Sequence, residues 1–161
     1  MANIIAYQAS SDEFWMAQAI EIAKKAEDIN EVPVGAIIVK DEQIVGSGFN
    51  QVISKHDASA HAEIQALRNT SKNINNYRII NATLYVTLEP CMMCVGAMVH
   101  ARIARLVFGA FDPKTGMVTT RDKCFDKSYH NHKITYLGGV LELDCARLLQ
   151  KFFKQKRIKK N

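Results

Sequence analysis

The stretch that decides the fold is Thr83–Arg102, TLYVTLEPCMMCVGAMVHAR. From Thr83 to Leu88 apolar residues alternate on a β-branched background, which predicts a strand, and Pro90 ends it. Cys91 and Cys94 then open a run with helical spacing. A separation of three puts both sulfurs on one face of the helix start, where the unpaired amides of the first turn favour thiolate over thiol. Strand, proline and two thiols at a helix mouth describe two prongs of a metal claw. Read alone, the same pattern fits a redox dithiol or half of a zinc ribbon.

Two thiolates do not complete a tetrahedral zinc site, so a third ligand is sought upstream, at His61-Ala62-Glu63. His61 begins an apolar periodic run that includes Ile64 and Leu67, and so it too belongs at a helix start. A His-Cys-Cys set leaves the fourth position to water, the mark of a catalytic rather than a structural zinc. Glu63, two residues beyond the histidine, is then placed to handle that water's proton. By itself His-x-Glu is common on solvated helix starts. Joined to Pro90, Cys91 and Cys94 it specifies a Zn2+ site with ligands His61, Cys91 and Cys94 and with Glu63 as proton carrier.

With 161 residues, 48% of them apolar, the chain can build one domain with a substantial core. No apolar run reaches the length of a membrane span. The opening residues, MANIIAYQASSDE, lack a basic start followed by a long apolar stretch, so no export signal is expected and the cytoplasm is the expected compartment. Four cysteines in such a chain argue for metal binding or free thiols over disulfides. Cys145 falls at a core position of the last helix and Cys124 in a polar stretch; both are expected as unbonded thiols. The net charge of +5 is uneven, because residues 151–161, KFFKQKRIKKN, hold six of the 21 basic residues and no acidic ones. A basic terminus on a near-neutral body either solvates itself or meets a polyanion. Without a lipidation motif or a strongly amphipathic basic helix, nucleic acid is the better match than an anionic membrane surface.

Ser10 with Glu13 predicts a capping box for a first helix in which Trp15, Ala19, Ile22, Ala23 and Ala26 recur at helical spacing to about Asn30. Val34–Val39 and Gln43–Asn50 read as a hairpin turning at Asp41-Glu42, with Gly46 and Gly48 marking a bulge or a close backbone approach. A polar loop from Gln51 to Ala60 leads into the His61 helix, which is expected to fade near Thr70, and Asn73–Arg78 reads as a linker. After the Cys91 helix come a fourth strand at Arg105–Phe108, a polar segment from Phe111 to Tyr129 long enough for a functional loop or a short helix, and a fifth strand at Lys133–Leu137. Gly138-Gly139 stops that strand, and an amphipathic helix follows from Leu141 to about Lys156. This alternation predicts a single α/β domain, a three-layer α/β/α sandwich around a five-stranded mixed sheet, with the two metal-bearing helices side by side and their N-termini converging.

From Phe14 to Arg157 the chain resembles the bacterial tRNA adenosine deaminases, within the cytidine deaminase-like superfamily. The resemblance is carried by EVPVGAIIV, AHAEIQALR, NYRIINATLYVTLEPCMMCVGAMVHARI, VFGAFDPKTG and Phe152-Phe153. The H-x-E and P-C-x-x-C pair marks zinc nucleobase deaminases as a whole, and the longer strings narrow it. The resemblance implies hydrolytic deamination of adenosine to inosine at the wobble position of a tRNA anticodon stem-loop, by a homodimer with one zinc per subunit. By position it implies that Asn50 contacts the target nucleoside, Asp112 and Lys114 lie along the anticodon loop, Phe153 shapes the nucleotide pocket and Arg157 joins a basic surface. The residues alone read differently: Asn50 as a strand-end turn, Asp112 as an Asp-Pro turn, and one of Phe152-Phe153 as core. The chain departs from the family at Ala58, usually proline, at Met117–Thr120, usually small residues, and at Phe111, more often polar or basic. Competing readings are a deaminase of free guanine or cytosine, a nucleic-acid-binding module whose zinc is closed by Cys124 or Cys145, and a dithiol oxidoreductase.

Overall fold

The computed structural model describes residues 11–160. Five strands, β1 (Gly35–Lys40), β2 (Gln43–Phe49), β3 (Thr83–Leu88), β4 (Arg105–Ala110) and β5 (Thr135–Leu137), form one sheet in the order β2-β1-β3-β4-β5. β1 runs antiparallel to both β2 and β3, whereas β3, β4 and β5 are parallel, so the sheet is mixed as expected. Four helices, α1 (Asp12–Asp28), α2 (Ala62–Ile74), α3 (Met92–His100) and α4 (Glu142–Lys159), cover it, and a single 3-10 turn spans Cys124–Asp126.

Period-two alternation along the strands sorts the helices onto the two faces. Ile38, Leu84, Val86, Leu106 and Phe108 pack with Ala62, Ala66, Val95 and Met98, that is, against α2 and α3. Ile37, Val39, Tyr85 and Val107 point the other way and pack with Trp15, Met16, Ala19 and Cys145, against α1 and α4. The three central strands are thus apolar on both sides, and in β3 Tyr85 packs on one face while the alternating Leu84 and Val86 pack on the other.

Two features of β2 set α2, and with it His61. A Cβ at Gly48 would stand 2.7 Å from the Ala62 carbonyl oxygen and 2.6 Å from Gln65 Cβ, so the glycine lets the helix lie directly on the strand. Farther along, Asn69 and Asn73 donate through Nδ2 to the Ser47 and Val45 carbonyls at 2.8 and 2.9 Å, satisfying outward-facing acceptors of this edge strand.

Several element boundaries differ from expectation. The predicted cap Ser10 lies outside the described residues; Ser11 caps α1, its Oγ accepting from the Phe14 amide at 3.1 Å. Helix α2 does not fade at Thr70 but continues to Ile74, where Asn75 adopts the left-handed conformation and closes it. Helix α4 runs past Lys156 to Lys159, so the basic terminus is largely helical. β4 is longer than expected and β5 shorter. Cys124 is buried despite its polar sequence context, because the 3-10 turn folds it and Phe125 beneath the sheet edge.

Candidate active site

Local sequence places each metal-binding side chain at a helix entrance. His61 and Cys91 are the N-cap residues of α2 and α3, both with extended backbone, and Cys94 and Glu63 lie one turn inside. Because α2 and α3 pack on the same face of the sheet, their N-termini converge as the sequence predicts. His61 Nδ1 lies 3.6 Å from each of the two sulfurs, and Cys91 Sγ lies 3.8 Å from Cys94 Sγ. A zinc ion with arms of about 2.3 Å to sulfur and about 2.0 Å to nitrogen has tetrahedral edges of about 3.8 Å between sulfurs and about 3.5 Å from sulfur to nitrogen. The donor triangle therefore fits zinc, with Nδ1 as the histidine's ligating atom. Among the described residues only His61, Cys91 and Cys94 form such a group, and neither Cys124 nor Cys145 joins it.

The electrostatics suit a ligand at Cys91 and a proton carrier at Glu63, whereas the Cys94 thiol is pushed well up by its hydrogen bond with Cys91 and by burial. The Cys91 thiol is pushed down to about 4, chiefly by its hydrogen bond with Cys94 and then by that with His61, which together outweigh burial. A smaller downward pull comes from the Cys94 amide in the first turn of α3. Cys91 is accordingly a thiolate at neutral pH. The His61 imidazole is pushed upward, first by its hydrogen bond to Cys91 and more weakly by the nearby Glu63 charge. Burial pushes the Glu63 carboxyl up to about 7, against the opposing pull of Cys94 and His61. A carboxyl poised near neutrality can both accept and return a proton.

A cavity of about 290 Å³ opens over this group, lined by His61, Glu63, Cys91, Asn50, Asp112 and Thr115 among others. Asn50 is 8% exposed, and its backbone N–H donates to the Val34 carbonyl at 3.1 Å, which holds the end of β2 at the cavity wall. Asp112 also reaches the cavity, but its carboxylate is occupied within its own turn. It accepts from the Lys114 and Thr115 amides at 2.9 and 3.2 Å and from the Thr115 hydroxyl at 2.8 Å. Asp112 therefore forms the turn that its own residues predict, and it also lines this cavity. Lys114, Phe153 and Arg157 do not line the metal cavity. They line a second one, of about 350 Å³, together with Lys156 and Lys160. Of the aromatic pair, Phe152 is core at 6% exposed and Phe153 is open at 45%.

The model of the cytidine and deoxycytidylate deaminase zinc-binding region matches residues 9–110. The chain belongs to this deaminase family. It is 52% identical over 150 residues to the tRNA-specific adenosine deaminase of Haemophilus influenzae, an overlap of 92% of this chain and 87% of that one. A structure solved in a study of A-to-I editing by tRNA:A34 deaminases at the wobble position is 37% identical, with a TM-score of 0.81 over 84% of this chain and 99% of that one. The guanine deaminase of Bacillus subtilis is 30% identical, with a TM-score of 0.62 over 79% of this chain and 84% of that one.

Glu89, which also lines the metal cavity, is not singled out by the sequence reading. It is 2% exposed, yet lies between β3 and the first cysteine. Burial pushes its carboxyl upward, but hydrogen bonds from Thr119, Thr120 and Asp112 outweigh burial and hold it below the usual range. A carboxylate set between a doubly buried strand and a metal helix is the available signal. Its partners are not legible, because four of the five are backbone amides of a distant loop.

Proposed function

We propose that this protein converts adenosine to inosine at the wobble position of a tRNA anticodon by zinc-dependent hydrolysis. The observation that carries the reading is the pairing of two cavities across one wall. Asp112 and Thr115 face the metal cavity, and Lys114 between them faces the basic one with Phe153, Lys156, Arg157 and Lys160. A single-stranded loop is recognised by aromatic stacking together with cations along its backbone. The second cavity offers both, one step from the pocket that would receive the splayed nucleotide.

When bound by His61, Cys91 and Cys94, zinc supplies the Lewis acidity that makes water nucleophilic near neutral pH. Glu63 would take one proton from that water and deliver it to ring N1, where it stays in inosine, and would then carry the second, from the new C6 hydroxyl, to the departing amine. Overall the C6–O bond forms, the C6–N bond breaks and ammonia leaves. Asn50, at the cavity wall, orients the nucleoside through its side-chain amide. The same kinship supports a homodimer with one zinc per subunit, and the outward groove between α2 and α3, with Ile64, Leu67 and Ala97 along it, offers an apolar surface for such contact. A tRNA substrate would place the protein in the cytoplasm; no described helix is long and apolar enough to cross a membrane.

Deamination of free guanine is the second reading, favoured by the likeness to the guanine deaminase. A free base would make no use of the basic cavity. The test is to incubate zinc-loaded protein separately with an anticodon stem-loop bearing adenosine at the wobble position, and with adenosine, cytidine, cytosine and guanine. Ammonia release and nucleoside chromatography are then followed. Inosine formed in the stem-loop alone is the expected result, and faster ammonia release from guanine would overturn the reading.

A further inference from the structure

We propose that Glu89 is a positioning residue that holds the RNA-facing wall of the active site against the metal-bearing turn. Its two carboxylate oxygens accept from the amides of Asp112, Val118, Thr119 and Thr120 at 3.2, 3.1, 2.9 and 3.0 Å, and from the Thr120 hydroxyl. Five donors occupy its lone pairs, so the group has no capacity left for chemistry on a substrate. It acts instead through the chain that it gathers. The donors come from both ends of the segment 112–120, and that segment supplies Asp112 and Thr115 to one cavity and Lys114 to the other.

Three further contacts show that the segment is built around this carboxylate. A Cβ at Gly116 would come within 2.5 Å of Glu89 Cδ and Oε1, so glycine is what lets the loop close over it. The Met117 amide donates to the Pro90 carbonyl at 2.9 Å, pinning the loop a second time beside the cysteines. The Asp112–Thr115 turn is internally tied by the Asp112 carboxylate, so it moves as a unit. Glu89, together with the Met117–Pro90 contact, sets where it sits. The same glutamate thus links the strand-to-helix turn that presents Cys91 to the wall that separates the two cavities. The role rests on the proposed reading that this wall meets RNA.

The test uses Glu89→Gln, which turns one accepting oxygen into an amide donor facing amide donors, and the graded pair Thr120→Val and Thr120→Ser, which removes or keeps the hydroxyl contact. Hydrogen exchange by mass spectrometry and steady-state kinetics on the anticodon stem-loop are measured, with zinc content as a control. In Glu89→Gln, peptides covering 112–120 should exchange about tenfold faster or more while α2 and α3 keep their protection and zinc content is unchanged. KM for the stem-loop should rise about tenfold, with kcat within about threefold of wild type. Thr120→Val should show the same pattern more weakly and Thr120→Ser should restore it, which keeps the proposal testable if Glu89→Gln folds poorly. Unchanged exchange and KM would overturn it. So would zinc loss, or faster exchange spread equally over α2 and α3, since either makes Glu89 a general structural group. If the wild-type protein does not deaminate the stem-loop, the functional reading fails, while the exchange data still decide whether Glu89 holds the wall.

Discussion

Glu63 is asked to move protons without touching the metal, and that separation can be measured. Glu63→Gln keeps the shape of the side chain and leaves His61, Cys91 and Cys94 intact. It should bind zinc as wild type does, yet lose at least about a hundredfold in kcat, the scale of a general acid–base contribution; metal analysis with single-turnover deamination checks both halves. The two remaining cysteines give the complementary case. Since neither joins the donor triangle, the double variant Cys124→Ser, Cys145→Ser should retain zinc. It should also melt at lower temperature, because the hydroxyl at 145 enters an apolar cluster with Val107 and Val140 at a cost of about 1–3 kcal/mol. The metal residues are legible in the sequence because ligand type and spacing carry their own chemistry. The five donors around Glu89 are not, since four are main-chain amides whose convergence depends on how a loop folds.

Strands are legible at the scale of elements because alternation sorts directly into two faces, as with Ile37 against Ile38. Helix ends are less so. Asn75 extends α2 by entering a left-handed conformation that composition alone does not reveal, and Ser11 takes the cap of α1. Gly46 and Gly48 are compatible in sequence with either a bulge or a close approach, and at Gly48 the structure shows the approach. That contact has a functional consequence, because the atoms nearest a Cβ at Gly48 belong to Ala66, Gln65 and Ala62, in the opening turns of the helix that His61 caps. Gly48→Ala should displace the start of the helix, costing about 1–3 kcal/mol of stability. It should also weaken zinc retention, seen as faster metal loss to a chromophoric chelator. Unaltered chelator kinetics would show that the helix start adjusts without moving the histidine.

Two long-range charge arrangements act on the molecule as a whole. Asp12, at the start of α1, meets Arg105 on β4 in a two-pronged pair at 2.8 Å and accepts from the Tyr85 hydroxyl at 2.9 Å, tying the helix to two strands. The Arg105 hydrogen bond, acting against burial and aided by Tyr85, lowers the Asp12 carboxyl below its ordinary value. A lowered carboxyl stabilises the fold above its unfolded-state value, near pH 4, and that contribution is lost as the pH falls through the folded-state value. Asp12→Asn should therefore melt about 2–4 °C below wild type at pH 7, as fits a partly exposed pair worth about 1 kcal/mol, and the gap should close as the pH falls below the folded-state value. The second arrangement is the basic end of α4. Its excess charge is visible in the sequence, but its address is not. Helix continuation to Lys159, beyond the expected end, brings Lys156, Arg157 and Lys160 beside Phe153 and across from Lys114, so the charge forms one wall of a cavity. Every phosphate of single-stranded RNA that a cation neutralises adds about 0.7 to the steepness of log affinity against log salt. Lys156→Ala, Arg157→Ala and Lys160→Ala combined should therefore flatten that slope by about 2 and weaken stem-loop binding about tenfold or more near 0.1 M salt. Zinc content and kcat at saturating RNA should stay close to wild type. Filter binding across a potassium chloride series measures the slope, and an unchanged slope would mean that these cations face solvent rather than the anticodon arm.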